Sequence, residues 1–306
     1  QVSFGADVIS RIEKSLSGQK DALADSVIGG IEGLLKELAG QAGYRIEEID
    51  GIVMTGNTAM LSLLARKDPT GLSKAPFEAD WLAGEWTTAK GLGFSRLNAK
   101  VYLPSCISAF VGADITTALL AAGMGQEGGI RMLADIGTNG EVVLQKDGRL
   151  FCCSTAAGPA FEGAGLSMGM QGRTGAISHV RWDGKKFEVK VIGDTLARGI
   201  CGSGVIDAMA ALKESGQMDE TGYLEEGEAW IADQVKLTQE DVRKVQLAKS
   251  AVCAGMKAML DWSKTRMEDL SLLQIAGGFG SSIDLKRAAD IGLILPLPAD
   301  RVHVCG

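Results

Sequence analysis

Hydrophobic positions along the chain alternate between helical spacing and short continuous apolar runs, the pattern of an α/β protein. Ala6–Ser15 and Ala22–Gln41 set apolar residues three and four apart among charged ones, which predicts two amphipathic helices. Ile49–Met54 reads as a short strand, and Gly56-Asn57-Thr58 after it leads into a helix over Ala59–Ala65, with Asn57 or Thr58 as its N-cap. Asp68–Lys100 carries Pro69, Pro76, Trp81 and Trp86 without a clear period; it is expected to be an irregular insert that ends in a strand at Lys100–Leu103. Ser108–Met124 is strongly apolar with small residues and is expected to be one helix. Three strands follow, over Arg131–Asp135, Glu141–Lys146 and Arg149–Ser154, the last two joined by the hairpin turn Asp147-Gly148. Arg181–Val191 repeats that pattern around Asp183-Gly184. Beyond Ile200 the pattern turns helical, over Ser203–Ser215, Thr238–Met259 and a turn at Met267–Leu270; the acidic stretch Asp219–Glu228 reads as a solvated loop. Leu272–Ala276 is a last buried strand before Gly277-Gly278-Phe279-Gly280.

Composition narrows the function classes. The 306 residues are 46% hydrophobic, enough for a large core and for two lobes rather than one. With 31 basic against 38 acidic residues the net charge is −7, a poor match for nucleic acid or an anionic membrane, so neither is an expected partner. No run of about 20 apolar residues occurs. The six cysteines (Cys106, Cys152, Cys153, Cys201, Cys253 and Cys305) form no Cys-x-x-Cys pair, and such scattered thiols suit a reducing, cytoplasmic compartment. His179 and His303 are the two histidines, too few for a multi-histidine metal cage, and neither lies near a nucleophile elbow.

Candidate chemistry gathers at glycine-rich turns. In Asp135-Ile136-Gly137-Thr138-Asn139-Gly140-Glu141 an aspartate closes an apolar strand, where its charge is costly unless used. The turn after it offers backbone N–H groups and a hydroxyl to phosphate oxygens, and Asp135 suits a water-rich magnesium ion. The alternative is a plain hairpin whose aspartate caps the turn. Ile275-Ala276-Gly277-Gly278-Phe279-Gly280 has the strand, glycine turn and helix order that lets a nucleotide approach the backbone, or is an ordinary connection. Glu162, within Ala156–Gly163, either meets an ion or partner or caps a helix start. Gly199–Gly204 opens a helix, read as a tightly packed start rather than an anion site. No Walker A pattern occurs, and Gly123–Gly128 matches Gly-x-Gly-x-x-Gly in the wrong order of elements for a dinucleotide site, following a helix and preceding a strand.

Taken in order, these segments resemble the actin-like ATPase superfamily, which includes sugar kinases and heat-shock chaperones. Asp135, Gly137 and Thr138 match its second phosphate loop, Ser108–Met124 with Gly112 and Asp114 its first lobe-connecting helix, and Gly277, Gly278 and Gly280 its adenosine loop. The closer resemblance is to the reductive activators of corrinoid proteins. It is carried by Phe4–Ile12, Thr55–Met60, Asp135–Glu141, Ala156–Gly163 and Gly199–Gly204, and runs over nearly the whole chain.

The resemblance implies an α/β, actin-like ATPase fold with two lobes around a nucleotide cleft and mixed sheets flanked by helices. The first lobe, incomplete, would span 1–130 with its connecting helix at 108–124, and the second 131–306. It implies ATP with Mg²⁺, bound by Gly137, Thr138, Asn139, Gly140, Gly277, Gly278, Phe279 and Gly280, with Asp135 as metal and catalytic residue and Asp114 positioning water. It implies ATP-driven reduction of cob(II)alamin to cob(I)alamin on a corrinoid protein partner of a methyltransferase system. The family's first phosphate loop and [2Fe–2S] domain are expected upstream of Gln1, and Val302–Gly306 looks like the start of the second connecting motif. The Gly- and Ala-rich helices are compatible with a monomer or a homodimer. A small-molecule kinase of the same fold, an ATP-driven cofactor reactivase without electron transfer, and a radical-dehydratase activator are the alternatives; the adjacent Cys152 and Cys153, whose side chains point apart on a strand, disfavour the last.

Overall fold

Asp7 sets the start of the first helix, its carboxylate accepting the Ser10 N–H at 2.8 Å. The computed structural model describes residues 4, 5, 7–126, 128–278 and 282–305. The chain divides into two compact units, Gln1–Leu120 and Ala121–Gly306.

In the first unit, α1 (Val8–Lys14) meets α2 (Lys20–Gln41) across a kink at Gly18, whose φ is 90°. β1 (Gly51–Val53) leads to α3 (Thr58–Leu64), capped by Asn57 as the sequence suggests: its side chain accepts the Met60 N–H at 2.8 Å. The stretch expected to be irregular holds three short elements: α4 (Thr70–Ser73), β2 (Glu85–Thr88) and α5 (Ala89–Leu92). β3 (Lys100–Leu103) matches the expected strand and is central in a sheet of order β1-β3-β2, parallel to β1 and antiparallel to β2. Ala24, Ile28, Leu61, Phe94, Leu97 and Val101 form the core.

The expected helix over 108–124 is shorter: α6 spans Ala113–Ala121. Residues before it form a turn in which the Ile107 and Ser108 N–H groups both donate to the Val111 carbonyl, at 2.8 and 3.0 Å. Gly112 lies against the chain before α3, where an added Cβ would come within 2.4 Å of Asn57 Cα. The Ala113 and Asp114 N–H groups donate to the Gly56 carbonyl. Helix capping by a neighbouring segment thus replaces the helical continuation that composition alone favours.

In the second unit, β4 (Arg131–Ile136), β5 (Gly140–Lys146) and β6 (Arg149–Thr155) form an antiparallel meander. Asp147 and Gly148 both adopt left-handed φ, 51° and 70°, as the tight hairpin requires. β7 (Ala176–Trp182), β8 (Phe187–Val191) and β9 (Gly199–Ile200) make a separate sheet of order β8-β7-β9; β7 starts at Ala176, upstream of the expected Arg181. α7 (Gly202–Glu214) packs on β7. A hairpin of β10 (Glu228–Ala232) and β11 (Val235–Thr238), not evident in the sequence, precedes α8 (Gln239–Trp262), which lies across β5 and β6. β12 (Leu272–Ala276) runs parallel beside β4, α9 (Leu285–Asp290) packs on α7, and β13 (Val302–Val304) adds to β12. The resulting mixed sheet has the order β13-β12-β4-β5-β6. Met132, Leu133 and Ala134 of β4 are all fully buried, so an apolar run rather than an alternation marks this strand.

Candidate nucleotide site

The parallel register of β4 and β12 pairs Asp135 with Ala276, so the turn after Asp135 and the turn after Ala276 leave the sheet side by side. Gly277 makes that approach possible. Its φ is +95°, and a Cβ there would lie 2.6 Å from Asp135 Oδ1 and 2.8 Å from the Ile136 carbonyl oxygen. Asp135 is half-buried, Thr138 and Asn139 are exposed, and Gly140 is buried where a Cβ would come within 2.7 Å of Thr155 Oγ1. The structure therefore brings Asp135, Gly137, Thr138, Asn139, Gly140, Gly277 and Gly278 together. Phe279 and Gly280 lie outside the described residues.

A third segment joins them. The Thr138 carbonyl accepts the Gly158 N–H at 2.8 Å, and the Thr138 hydroxyl donates to the Glu162 carboxylate. Glu162 ends a 3₁₀ turn, Pro159–Glu162, between two glycines with left-handed φ, Gly158 (79°) and Gly163 (75°). Glu162 is exposed, and the group it meets is the Thr138 hydroxyl of the same chain.

Glu162 and Gly278 border a cavity of about 730 Å³, which also meets Gly202 and Ser203 at the start of α7, and His179 and Lys190 on β7 and β8. That volume is in the range of small-molecule sites. Gly204 confirms the tight helix start read from the sequence: a Cβ there would lie 2.2 Å from the Ile177 carbonyl oxygen. Behind the glycine-rich segment, the buried Asp241 carboxylate takes the N–H and hydroxyl of both Ser167 and Thr238. Burial pushes its pKa up, but these hydrogen bonds outweigh it and hold the group below its ordinary value. Sequence reading missed Asp241, although Thr238-x-x-Asp241 is a capping-box spacing that marks it.

Asp114 sits in the first unit at the start of α6, its carboxylate accepting the Ile115 N–H at 3.0 Å. Burial pushes its pKa up, partly offset by backbone hydrogen bonds. Among the described residues no three His, Cys, Asp or Glu side chains gather as metal ligands. A divalent ion at Asp135 would complete its shell with water and phosphate oxygens, which suits magnesium. The six cysteines are all free, with Cys106 and Cys201 buried.

Residues 129–306 match the model described as the C-terminal domain of RACo, the ASKHA domain, and residues 1–127 match the RACo middle region. The chain belongs to the RACo family. The resemblance to reductive activators of corrinoid proteins and the actin-like α/β fold class both hold. Among curated relatives, the corrinoid activation enzyme RamQ of Eubacterium limosum is 33% identical over 96% of this chain and 54% of its own length. The [Co(II) methylated amine-specific corrinoid protein] reductase of Methanosarcina barkeri is 23% identical over 94% of this chain and 58% of its own. A solved reductive activator for a corrinoid iron-sulfur protein superposes on the whole chain with a TM-score of 0.89 at 32% identity, 53% of that protein being covered. This RACo-family chain thus spans about half the length of the relatives it matches.

Proposed function

We propose that this chain is the ATP-binding part of a reductive activator that drives cob(II)alamin to cob(I)alamin on a corrinoid protein. The observation that carries the reading is Gly277 pressed against the Asp135 carboxylate, which joins the acidic hairpin to the glycine turn whose Gly278 borders the cavity. The names of the relatives supply the corrinoid partner.

Asp135 would hold a magnesium ion through its water shell and orient the water that attacks the terminal phosphate. Thr138, Asn139 and Gly140 hold phosphate oxygens through a hydroxyl and backbone N–H groups. Gly277 and Gly278 line the nucleoside. ATP acts by shape: it favours one arrangement of the protein by its differential affinity for two states, and so alters how the corrinoid protein docks. The one electron that this reduction takes up would come from a [2Fe–2S] cluster, which we assign to a part of the protein outside this chain.

The test uses the full-length protein with its corrinoid partner, following cob(II)alamin loss by absorption and phosphate release in parallel. Asp135→Asn is expected to abolish both ATP hydrolysis and ATP-dependent reduction, a loss of about 100-fold or more. Hydrolysis at the wild-type rate by that variant would overturn the assignment of Asp135.

A further inference from the structure

A histidine held by a buried carboxylate stands on the wall of the 730 Å³ cavity. His179 Nδ1 lies 3.2 Å from Asp207 Oδ2, and the same oxygen takes the Val180 N–H at 3.3 Å. The Asp207 side chain is 6% exposed and that of His179 is 48% exposed, so one partner is fixed in the protein and the other faces solvent space. Asp207 Oδ1 is buried with no hydrogen-bond partner among the described residues, so the histidine and one backbone N–H are what the carboxylate serves. Arg287 closes the far side, donating to the Val180 and Asp207 carbonyl oxygens.

This pairing fixes the imidazole tautomer. An oxygen that already accepts the Val180 N–H acts as an acceptor, so Nδ1 carries a ring proton, and in the uncharged ring Nε2 keeps its lone pair. Lys190, paired with His179 across β7 and β8 and on the same wall, offers only donors. In its uncharged form such an imidazole offers an acceptor at its free nitrogen, which favours a ligand that presents an amino group and disfavours one that presents a carbonyl. Adenine carries an amino group where guanine carries an oxygen.

We infer that His179, held in one tautomer by Asp207, reads the nucleobase in this cavity and selects a 6-amino purine over a 6-oxo purine. The inference rests on the nucleotide reading above: phosphates at the Thr138 loop put the base in the cavity bordered by Glu162, Gly278 and His179. Asp207 is a positioning residue that acts through His179. A site built to pair with a polar group rejects the analogue that leaves it unpaired, and one hydrogen bond of this kind corresponds to about tenfold in affinity.

The experiment is calorimetric titration of the wild-type protein, H179A and D207N with non-hydrolysable ATP and GTP analogues in magnesium, with circular dichroism melts confirming the fold of each variant. The wild type is expected to prefer the ATP analogue about tenfold. H179A is expected to lose that preference by weakening ATP more than GTP. D207N is expected to reduce it, with long-range ¹⁵N spectra showing His179 as mixed tautomers where the wild type shows Nδ1–H. An unchanged ATP-to-GTP ratio in H179A, or a wild-type His179 protonated at Nε2, overturns the inference and leaves the nucleotide reading standing. Binding of neither analogue by the wild type overturns both.

Discussion

Gly277→Val is expected to weaken binding of a non-hydrolysable ATP analogue about 100-fold while leaving most of the fold intact. The backbone at Gly277 has φ +95°, which a β-branched residue adopts only under strain of about 1–3 kcal/mol. Relief of that strain is blocked, because the new Cβ meets Asp135 Oδ1 at 2.6 Å and the Ile136 carbonyl oxygen at 2.8 Å. Neither is the far end of a flexible chain: Asp135 is anchored on β4, and Ile136 presents backbone. The Asp135 turn and the Gly277 turn must therefore move apart, and a displacement of about 1 Å between groups that share a ligand costs about 100-fold. Titration calorimetry beside a denaturant melt separates the two effects. Wild-type affinity in the variant would show that the close approach of the two turns does not serve the ligand.

Asp241→Ala is expected to cost about 3–4 kcal/mol of stability at neutral pH. Asp241 is 1% exposed and accepts four hydrogen bonds, from the N–H and hydroxyl groups of Ser167 and Thr238, all of which lose their acceptor. The pH dependence follows from the direction of its pKa. A carboxyl held below its ordinary value of 3.8 stabilises the fold above that value, and the contribution fades as pH falls through the lowered one. The gap between wild type and variant should therefore be full at pH ~7 and narrow in acid below the ordinary carboxylate range. Urea melts across that range check it; a gap independent of pH would mean that the charge of Asp241 plays no part. Because Ser167 follows the Glu162 turn, the same variant should also loosen the segment that holds the Thr138 hydroxyl.

Much of the local chemistry was legible in the sequence where neighbours along the chain decide it, though not the Thr238–Asp241 capping box or the β10–β11 hairpin. Asn57 caps its helix, Asp147-Gly148 turns its hairpin, and the strands Lys100–Leu103 and Leu272–Ala276 fall where the apolar runs put them. The glycine turn after Ala276 was legible as a turn, and Gly277 in it takes φ +95° against Asp135. What the sequence did not carry is pairing at long range. Nothing in the residues around Asp135 announces that β12, far along the chain, lies parallel beside β4, or that Glu162 receives the Thr138 hydroxyl. The 108–124 segment misled because its small apolar residues favour a helix, whereas Gly112 is small in order to sit on Asn57. His179 and Asp207 lie on different elements, so only the packing of α7 on β7 makes them a pair.

The most direct test of the account is calorimetric titration of this protein with a non-hydrolysable ATP analogue, with and without magnesium, beside Asp135→Ala. Magnesium-dependent binding by the wild type, lost or strongly weakened in the variant, is the result the account predicts. Equal binding by both proteins, or binding indifferent to magnesium, would contradict it.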